Sequence, residues 1–216
     1  MKRFRETKEI IYRDQYRIRE IKCPVDYIID IGSHFGTFSL LSSVLFPKAK
    51  IISYEPSKDT FNILTENMGS FSNVKCVNMA LGDNSPLNFE MEMYPTCTGN
   101  MFKKSANGYS VDTISLPGIF ESNKIDVDNS RVILKIDCEG GERFLIDNKS
   151  VELMKKCHHI CMEVHFPALN NNKFDEFPTW DEYDEWINEN FKDKSILCYK
   201  SNKHKGLALY IITTKE

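Results

Sequence analysis

The sequence predicts an α/β domain whose mostly parallel sheet is covered by helices on both faces. Three observations carry this. Short apolar runs of strand length alternate with stretches of helical periodicity through five strands. The runs are apolar almost throughout, as strands buried on both faces are. Two final apolar runs, joined by Ser-Asn-Lys-His-Lys-Gly, predict a hairpin-like ending whose last strand is antiparallel to its neighbour.

A chain of 216 residues is enough for one such domain and too short for two full-sized ones. Hydrophobic residues at 41%, charged residues at 27% and a mean hydropathy of -0.40 exclude a disordered tail or a collagen. No apolar run approaches the roughly 18 residues of a membrane span, and the opening MKRFRETKEI lacks a signal-peptide core. The expectation is a cytoplasmic protein without a membrane span; the sequence leaves its oligomeric state open.

Residues 1–22 hold eight Lys/Arg and four Asp/Glu, so this leader is +4 while the rest of the chain is -7. We read it as a basic amphipathic helix, docked by Ile10, Ile11, Tyr12 and Ile18 on a body spanning 23–216. A basic arm can touch nucleic acid, but interleaved acids and an acidic body point away from that partner.

The elements of the body follow in order. Residues 25–31 (VDYIIDI) are a buried strand ending at glycine. Phe35, Phe38, Leu41 and Leu45 recur at helical spacing before Pro47. Residues 50–55 form a second strand, 57–68 a helix capped by Ser57, and 74–80 a third strand. Residues 87–94 alternate apolar and polar as a surface strand, and 95–110 read as a loop. RVILKID (131–137) is the fourth core strand, followed by helices around 141–147 and near 151–156. HHICMEVHF (158–166) is the fifth strand. Residues 170–193 form an acidic amphipathic helix with an aromatic inner face, and residues 194–200 and 206–214 close the chain as strands.

Seven cysteines without a CxxC pair read as reduced thiols. The run Cys157-His158-His159-Ile160-Cys161 suggests zinc, but a strand sends adjacent side chains to opposite faces, so buried inert cysteine is the better reading.

Ligands of such sheets sit at the carboxyl ends of the strands. The first strand ends Asp30-Ile31-Gly32-Ser33-His34-Phe35-Gly36, with two glycines four apart rather than the GxGxxG of a dinucleotide site. An acid before the turn repels phosphate and suits an ammonium group, such as that of S-adenosylmethionine. Glu55, at the end of the second strand and followed by Pro56, can accept hydrogen bonds from two ribose hydroxyls. The segment Leu134-Lys135-Ile136-Asp137-Cys138-Glu139-Gly140-Gly141-Glu142 is the strongest signal. Lys135 and Asp137 share one face of an apolar core strand, where charge is costly unless paired or put to use. Glu163 and His165 leave the fifth strand beside them by the same alternation.

In this order, DIGSHFGTFSL, YEPS, NMALGD, LKIDCEGGE and MEVH resemble the FkbM-type S-adenosylmethionine-dependent methyltransferases, over about residues 25–165. The resemblance implies a Rossmann-like class I methyltransferase fold with a seven-stranded sheet, and O-methylation of a sugar or another hydroxyl-bearing molecule. It implies that Asp30, Gly32, Ser33, His34 and Gly36 surround the methionine end of S-adenosylmethionine. Glu55 and Pro56 would then lie at the ribose, and Asn78, Ala80 and Leu81 would flank the adenine. Two departures stand out: family members often carry Asn at the His34 position, and Leu-Asp-Asp where this chain has Ile114-Ser115-Leu116.

The expected reaction is an in-line displacement on a sulfonium methyl group, with a small-molecule or glycan acceptor. Asp137 is the first choice for the base or for orienting the acceptor, Lys135 for tuning it, and Glu139 and His165 stand behind them. A divalent cation held by Asp137, Glu163 and His165 is weighed and not favoured, because carboxylates that merely pair with Lys135 look the same in sequence. RNA methylation, a non-catalytic cofactor-binding scaffold and a nicotinamide oxidoreductase are the competing classes, the last disfavoured by the missing GxGxxG.

Overall fold

A computed structural model of the chain describes residues 7–90, 103–104, 109–165, 180–200 and 207–214. A seven-stranded sheet forms its centre. In chain order its strands are β1 (Tyr27–Ile31), β2 (Lys50–Tyr54), β3 (Val74–Val77), β9 (Val132–Ile136), β10 (His159–His165), β11 (Lys194–Lys200) and β12 (Leu207–Thr214), the intervening numbers belonging to small strands described below. They lie in the order β11-β12-β10-β9-β1-β2-β3. β12 pairs antiparallel with both β10 and β11, whereas the β1, β2, β3, β9 and β10 pairings are parallel. The class I methyltransferase sheet expected from the sequence is the sheet observed.

Alternation along each strand divides the core in two. Ile29, Leu134, Ile160 and Ile212 face a cluster with α3 (Leu116–Ser122), α4 (Asn148–Lys156) and α5 (Trp180–Asn190), which contribute Phe120, Met154, Tyr183 and Ile187. Ile28, Ile51, Ile133, Cys161 and Ile211 face the other way. There they meet Phe38 and Leu41 of α1 (Thr37–Leu45) and Ile10, Tyr16 and Ile18 of the leader. Next to α1 on the β3 side, α2 (Lys58–Met68) buries Leu64 and Met68. Residues of one parity on β1, β9 and β10 therefore share the α1 face, and that parity includes Asp30, Lys135, Glu163 and His165.

Caps explain several helix starts. Ser57 accepts from Thr60 N at 3.4 Å, Ser115 from Gly118 N at 3.2 Å, and Asp147 from Lys149 N and Ser150 N at 3.0 and 3.1 Å. The helix at 116–122 was not expected from sequence; Ser115 as cap and Pro117 in its first turn are the signals that mark it.

Other expectations need correction. The leader is not one helix. Residues 7–22 form a wide turn at Lys8–Tyr12 and a tight one at Ile18–Glu20, with Asp14 and Arg17 in the left-handed region between them. Ile10 and Ile18 are buried as expected, but Tyr12 is 81% exposed and Tyr16 takes the inner place. The helix expected around 141–147 is a tight turn, Gly141–Leu145. The third strand ends at Val77. Beyond it β4 (Ala80–Leu81) pairs with β8 (Thr113–Ile114), and β5 (Leu87–Glu90) pairs with β6 (Lys103–Lys104) and β7 (Tyr109–Val111). The rest of the expected 95–110 loop and the start of the acidic helix, 170–179, lie outside the described residues. Cys157 Sγ donates to Leu153 O, Cys161 Sγ to Leu134 O, and His159 Nε2 meets Tyr16 O, so the Cys157–Cys161 run disperses its side chains.

Candidate active site

The loop after β1 holds three residues at positive φ: Gly32 (78°), His34 (51°) and Gly36 (88°). A Cβ on Gly32 would lie 1.8 Å from the carbonyl oxygen of Asp137, so glycine is what lets the end of β9 press against this turn. The amides of Gly32 and Ser33 donate to Tyr54 O at 3.0 and 2.9 Å, and that of Gly36 to Ser33 O at 2.8 Å. His34 N–H donates to Glu55 Oε2 at 2.9 Å. These four amides are engaged inside the protein and are not a cradle for a diphosphate.

Asp30 departs from expectation. It is fully buried (0% exposed), accepts a hydrogen bond from Ser39 Oγ at 2.6 Å, and lies 3.2 Å from Lys135 Nζ, its register partner on β9. Its carboxylate sits beneath the turn, sealed from solvent by these partners. Lys135 is also sealed (3% exposed) and donates to Gly32 O at 2.7 Å while lying 3.9 Å from Asp137 Oδ2. Burial opposes its charge, but Asp30 and Asp137 outweigh burial and hold its pKa above the ordinary lysine value. The ion pair therefore clamps β1 to β9 and fixes the turn from below. Lys135 thus engages its ammonium group with Asp30, Asp137 and the Gly32 carbonyl and presents almost no surface.

Glu55 ties the second strand end to this turn. It accepts from His34 N and from Ser57 N, each at 2.9 Å, with only 7% of the residue exposed. Burial raises its pKa, opposed by those two amides. Asn78 Nδ2 donates to Glu55 O at 2.8 Å and Pro56 O at 3.0 Å, which holds the neighbouring strand end against Glu55. Ala80 and Leu81 are each 2% exposed, so their side chains belong to the core.

Beyond the last paired residues of β9 and β10, Ile136 and Met162, the next same-face positions bring Asp137 beside Glu163. His165 follows one alternation later. Its Nε2 lies 3.8 Å from Asp137 Oδ1, 3.3 Å from Glu139 Oε2 and 3.9 Å from Glu163 Oε1. Its Nδ1 lies 3.2 Å from Glu142 Oε1. Glu142 is fully buried and also accepts from Cys138 N at 3.1 Å and Gly140 N at 2.9 Å, so it binds the loop Cys138–Gly140 into shape. Burial disfavours the imidazolium, but Glu139, Glu142 and Asp137 outweigh it and raise the His165 pKa well above the ordinary value. Burial, with Asp137 and Glu139 beside it, pushes the Glu163 carboxyl up to about 8, against the pull of His165. The side chains of Asp137 and Glu139 remain 26% and 28% exposed, unlike that of Lys135.

Lys135, Asp137, Glu139 and His165 thus gather at one strand end as the sequence suggests, and Glu163 joins them. Three residues were missed. Tyr16, from the leader, donates its O–H to Asp137 Oδ2 at 3.0 Å, and Gln15 Nε2 donates to Glu163 Oε2 at 3.2 Å. Burial and the facing carboxylates of Asp137 and Glu163 raise the Tyr16 pKa, so the phenol remains a donor. Nothing local signals these contacts, which span 121 and 148 residues of chain. Glu142 was legible as the last acid of LKIDCEGGE, but its inward direction depends on the tight turn that follows Gly140.

A family model described as the methyltransferase FkbM domain matches residues 30–193. Hexuronic acid methyltransferase AglP of Haloferax volcanii is 28% identical over 142 residues, covering 65% of this chain and 56% of that protein. Methyltransferase sdnD of Sordaria araneosa is 30% identical over 80 residues, covering 34% of this chain and 29% of that protein. The chain thus matches about half, and less than a third, of the lengths of these two relatives. Among solved structures, a rRNA-methylase of Clostridium thermocellum, described as putative, superposes with a TM-score of 0.53 at 8% identity, over 95% of this chain and 96% of that one. At that identity the likeness concerns the fold alone. With the family model covering most of the chain, including every strand end that builds the site, the chain belongs to the FkbM methyltransferase domain family.

Proposed function

We propose that this protein is an S-adenosylmethionine-dependent methyltransferase that methylates a hydroxyl group of a sugar or another small molecule. The observation that carries the reading is the partly open rim of Asp137, Glu139, Glu163 and His165 directly against the Gly32 turn. The Gly32–Gly36 turn, with Ser33 and His34, would hold the methionine end of the methyl donor, Glu55 its ribose, and Asn78 with the backbone at Ala80 and Leu81 its adenine. The donor set fits such a ligand. Each Glu55 oxygen accepts one amide and keeps a lone pair for a ribose hydroxyl. The engaged amides of the turn suit a ligand without phosphate. Asp30 contributes from below through Lys135.

When bound, the methyl donor supplies an electrophilic methyl carbon on a sulfonium. The chain's own residues then orient the acceptor and take its proton. Asp137 would serve as the base or to orient the acceptor, a reading supported by Tyr16 fixing Oδ2 and leaving Oδ1 facing the rim. His165 is oriented beside it by Glu142. The curated relative that is a hexuronic acid methyltransferase supports a sugar acceptor.

Incubation with isotopically labelled methyl donor and a panel of hexuronic acids, nucleotide sugars, glycans and oligoribonucleotides tests the reading by mass spectrometry. Label on a sugar oxygen is the expected outcome. Transfer to RNA alone would replace the acceptor class, and absence of S-adenosylmethionine binding in calorimetry would remove the function altogether.

A further inference from the structure

We propose that the rim is also a divalent-cation site, with Asp137, Glu163 and His165 as its ligands. One donor atom from each of the three lies within 4.8 Å of the others. His165 Nε2 stands 3.8 Å from Asp137 Oδ1 and 3.9 Å from Glu163 Oε1. An ion with ligands at about 2.1 Å holds neighbouring donors about 3.0 Å apart and opposite ones about 4.2 Å apart, so these separations suit an ion at their centre with little movement. Glu139 Oε2, 3.3 Å from the same nitrogen, offers a further oxygen.

The second observation lies outside the donor set. The far atom of each ligand is held by a residue that is not itself a ligand. Tyr16 donates to Asp137 Oδ2, Gln15 to Glu163 Oε2, and Glu142 takes the Nδ1 side of His165. Each near atom faces the shared space, where His165 Nε2 is 3.3 Å from Glu139 Oε2 and 3.9 Å from Glu163 Oε1. Outer partners that fix the orientation of each ligand are what metal centres require. Pairing with Lys135 explains Asp30 and one edge of Asp137, at 3.2 and 3.9 Å, and leaves the remaining carboxylates facing one another around a single imidazole. Two carboxylates and one imidazole, without thiolate, select a hard or borderline ion such as Mg²⁺ or Mn²⁺.

The role of the ion rests on the proposed methyl transfer: beside the Gly32 turn it would polarise the acceptor hydroxyl and lower its pKa, and with Oδ1 on the ion Asp137 would orient the acceptor while Glu139 takes its proton. Its binding rests on the side chains alone. Mn²⁺ titrated into the whole chain and followed by electron paramagnetic resonance tests it directly. We expect one immobilised equivalent with a nitrogen coupling from a coordinating imidazole. His165→Gln should abolish that coupling, Glu163→Gln should weaken binding at least tenfold, and Tyr16→Phe, which removes only an outer partner, should weaken it about tenfold. Circular dichroism on each variant separates a lost ligand from a lost fold. Absence of binding at millimolar Mn²⁺ in the wild type, binding without nitrogen coupling, or binding unchanged in folded Glu163→Gln would overturn the site. Calorimetry with S-adenosylmethionine on the same samples distinguishes the two failures. Cofactor binding without Mn²⁺ binding sinks the cation and keeps the function, and the reverse result does the opposite.

Discussion

Two histidines on one face of β10, His159 and His165, meet opposite fates. His159, at the amino end of the strand, is 2% exposed and packs under the leader, with Nε2 3.0 Å from Tyr16 O. Burial lowers its pKa to about 4, with the Tyr16 carbonyl opposing and His158 adding to the effect. His165, at the carboxyl end, is surrounded by acids that raise its pKa despite burial. Between them in height lies the Lys135–Asp30 pair, charged and completely enclosed. The face changes along its length from neutral and sealed, through paired and sealed, to charged and partly open. Only the last condition leaves side chains partly open to solvent. This is the reason the proposed chemistry lies with the strand-end acids, while the acid two residues deeper serves architecture.

Breaking the middle tier should have the largest effect. Lys135→Met leaves Asp30 buried without its cation, which should cost about 3–5 kcal/mol of stability. Urea unfolding at neutral pH reads this, and the double variant Lys135→Met/Asp30→Leu should recover most of the loss. If the single variant unfolds like the wild type, the middle tier is not structural.

At the open tier, Asp137→Asn should reduce turnover roughly 10²–10⁴-fold while leaving cofactor binding and the unfolding midpoint close to wild type. Full turnover in this variant would mean that the rim does not perform the chemistry.

The sealed tier gives the smallest effect, and a pH-dependent one. Above pH 6.5 His159 is neutral in both folded and unfolded chains. Below that the unfolded chain takes up a proton that the folded chain refuses until about pH 4. The unfolded state then binds more protons, so stability falls as pH falls, by about 3 kcal/mol across this window. Glu20 and Arg17 are the charged groups near enough to modulate it, in opposite directions. Unfolding curves at pH 7, 6 and 5 for wild type and His159→Gln should diverge by about 1.4 kcal/mol per pH unit below 6.5. Parallel curves would show that His159 is protonated in place.

Much of the sheet was readable because its signal is local. An apolar run such as VILKI declares a strand buried on both faces, and the glycine after DI declares a turn. Lys135 and Asp137 could be placed on one face by counting alone. The helix at 116–122 escaped because it is only two turns long, too short for periodicity to show. The leader escaped for a different reason. Its apolar residues fit a helix, yet two left-handed residues, Asp14 and Arg17, break it so that Tyr16 can turn inward. Asp30 was placed on the correct strand end but in the wrong environment, because its partner stands 105 residues further along the chain.

What the sequence determined by itself was the order of the seven sheet strands along the chain, the acid-rich strand ends and the family they mark. Each follows from periodicity and spacing within a few residues. The tertiary structure decided which acids are exposed and which are sealed, and that a tyrosine and a glutamine from the leader reach into the site. Those outcomes depend on which strands lie side by side and on what covers them. A carboxylate's behaviour is set by the dielectric and the partner it meets across the sheet, and neither is encoded next to it in the chain.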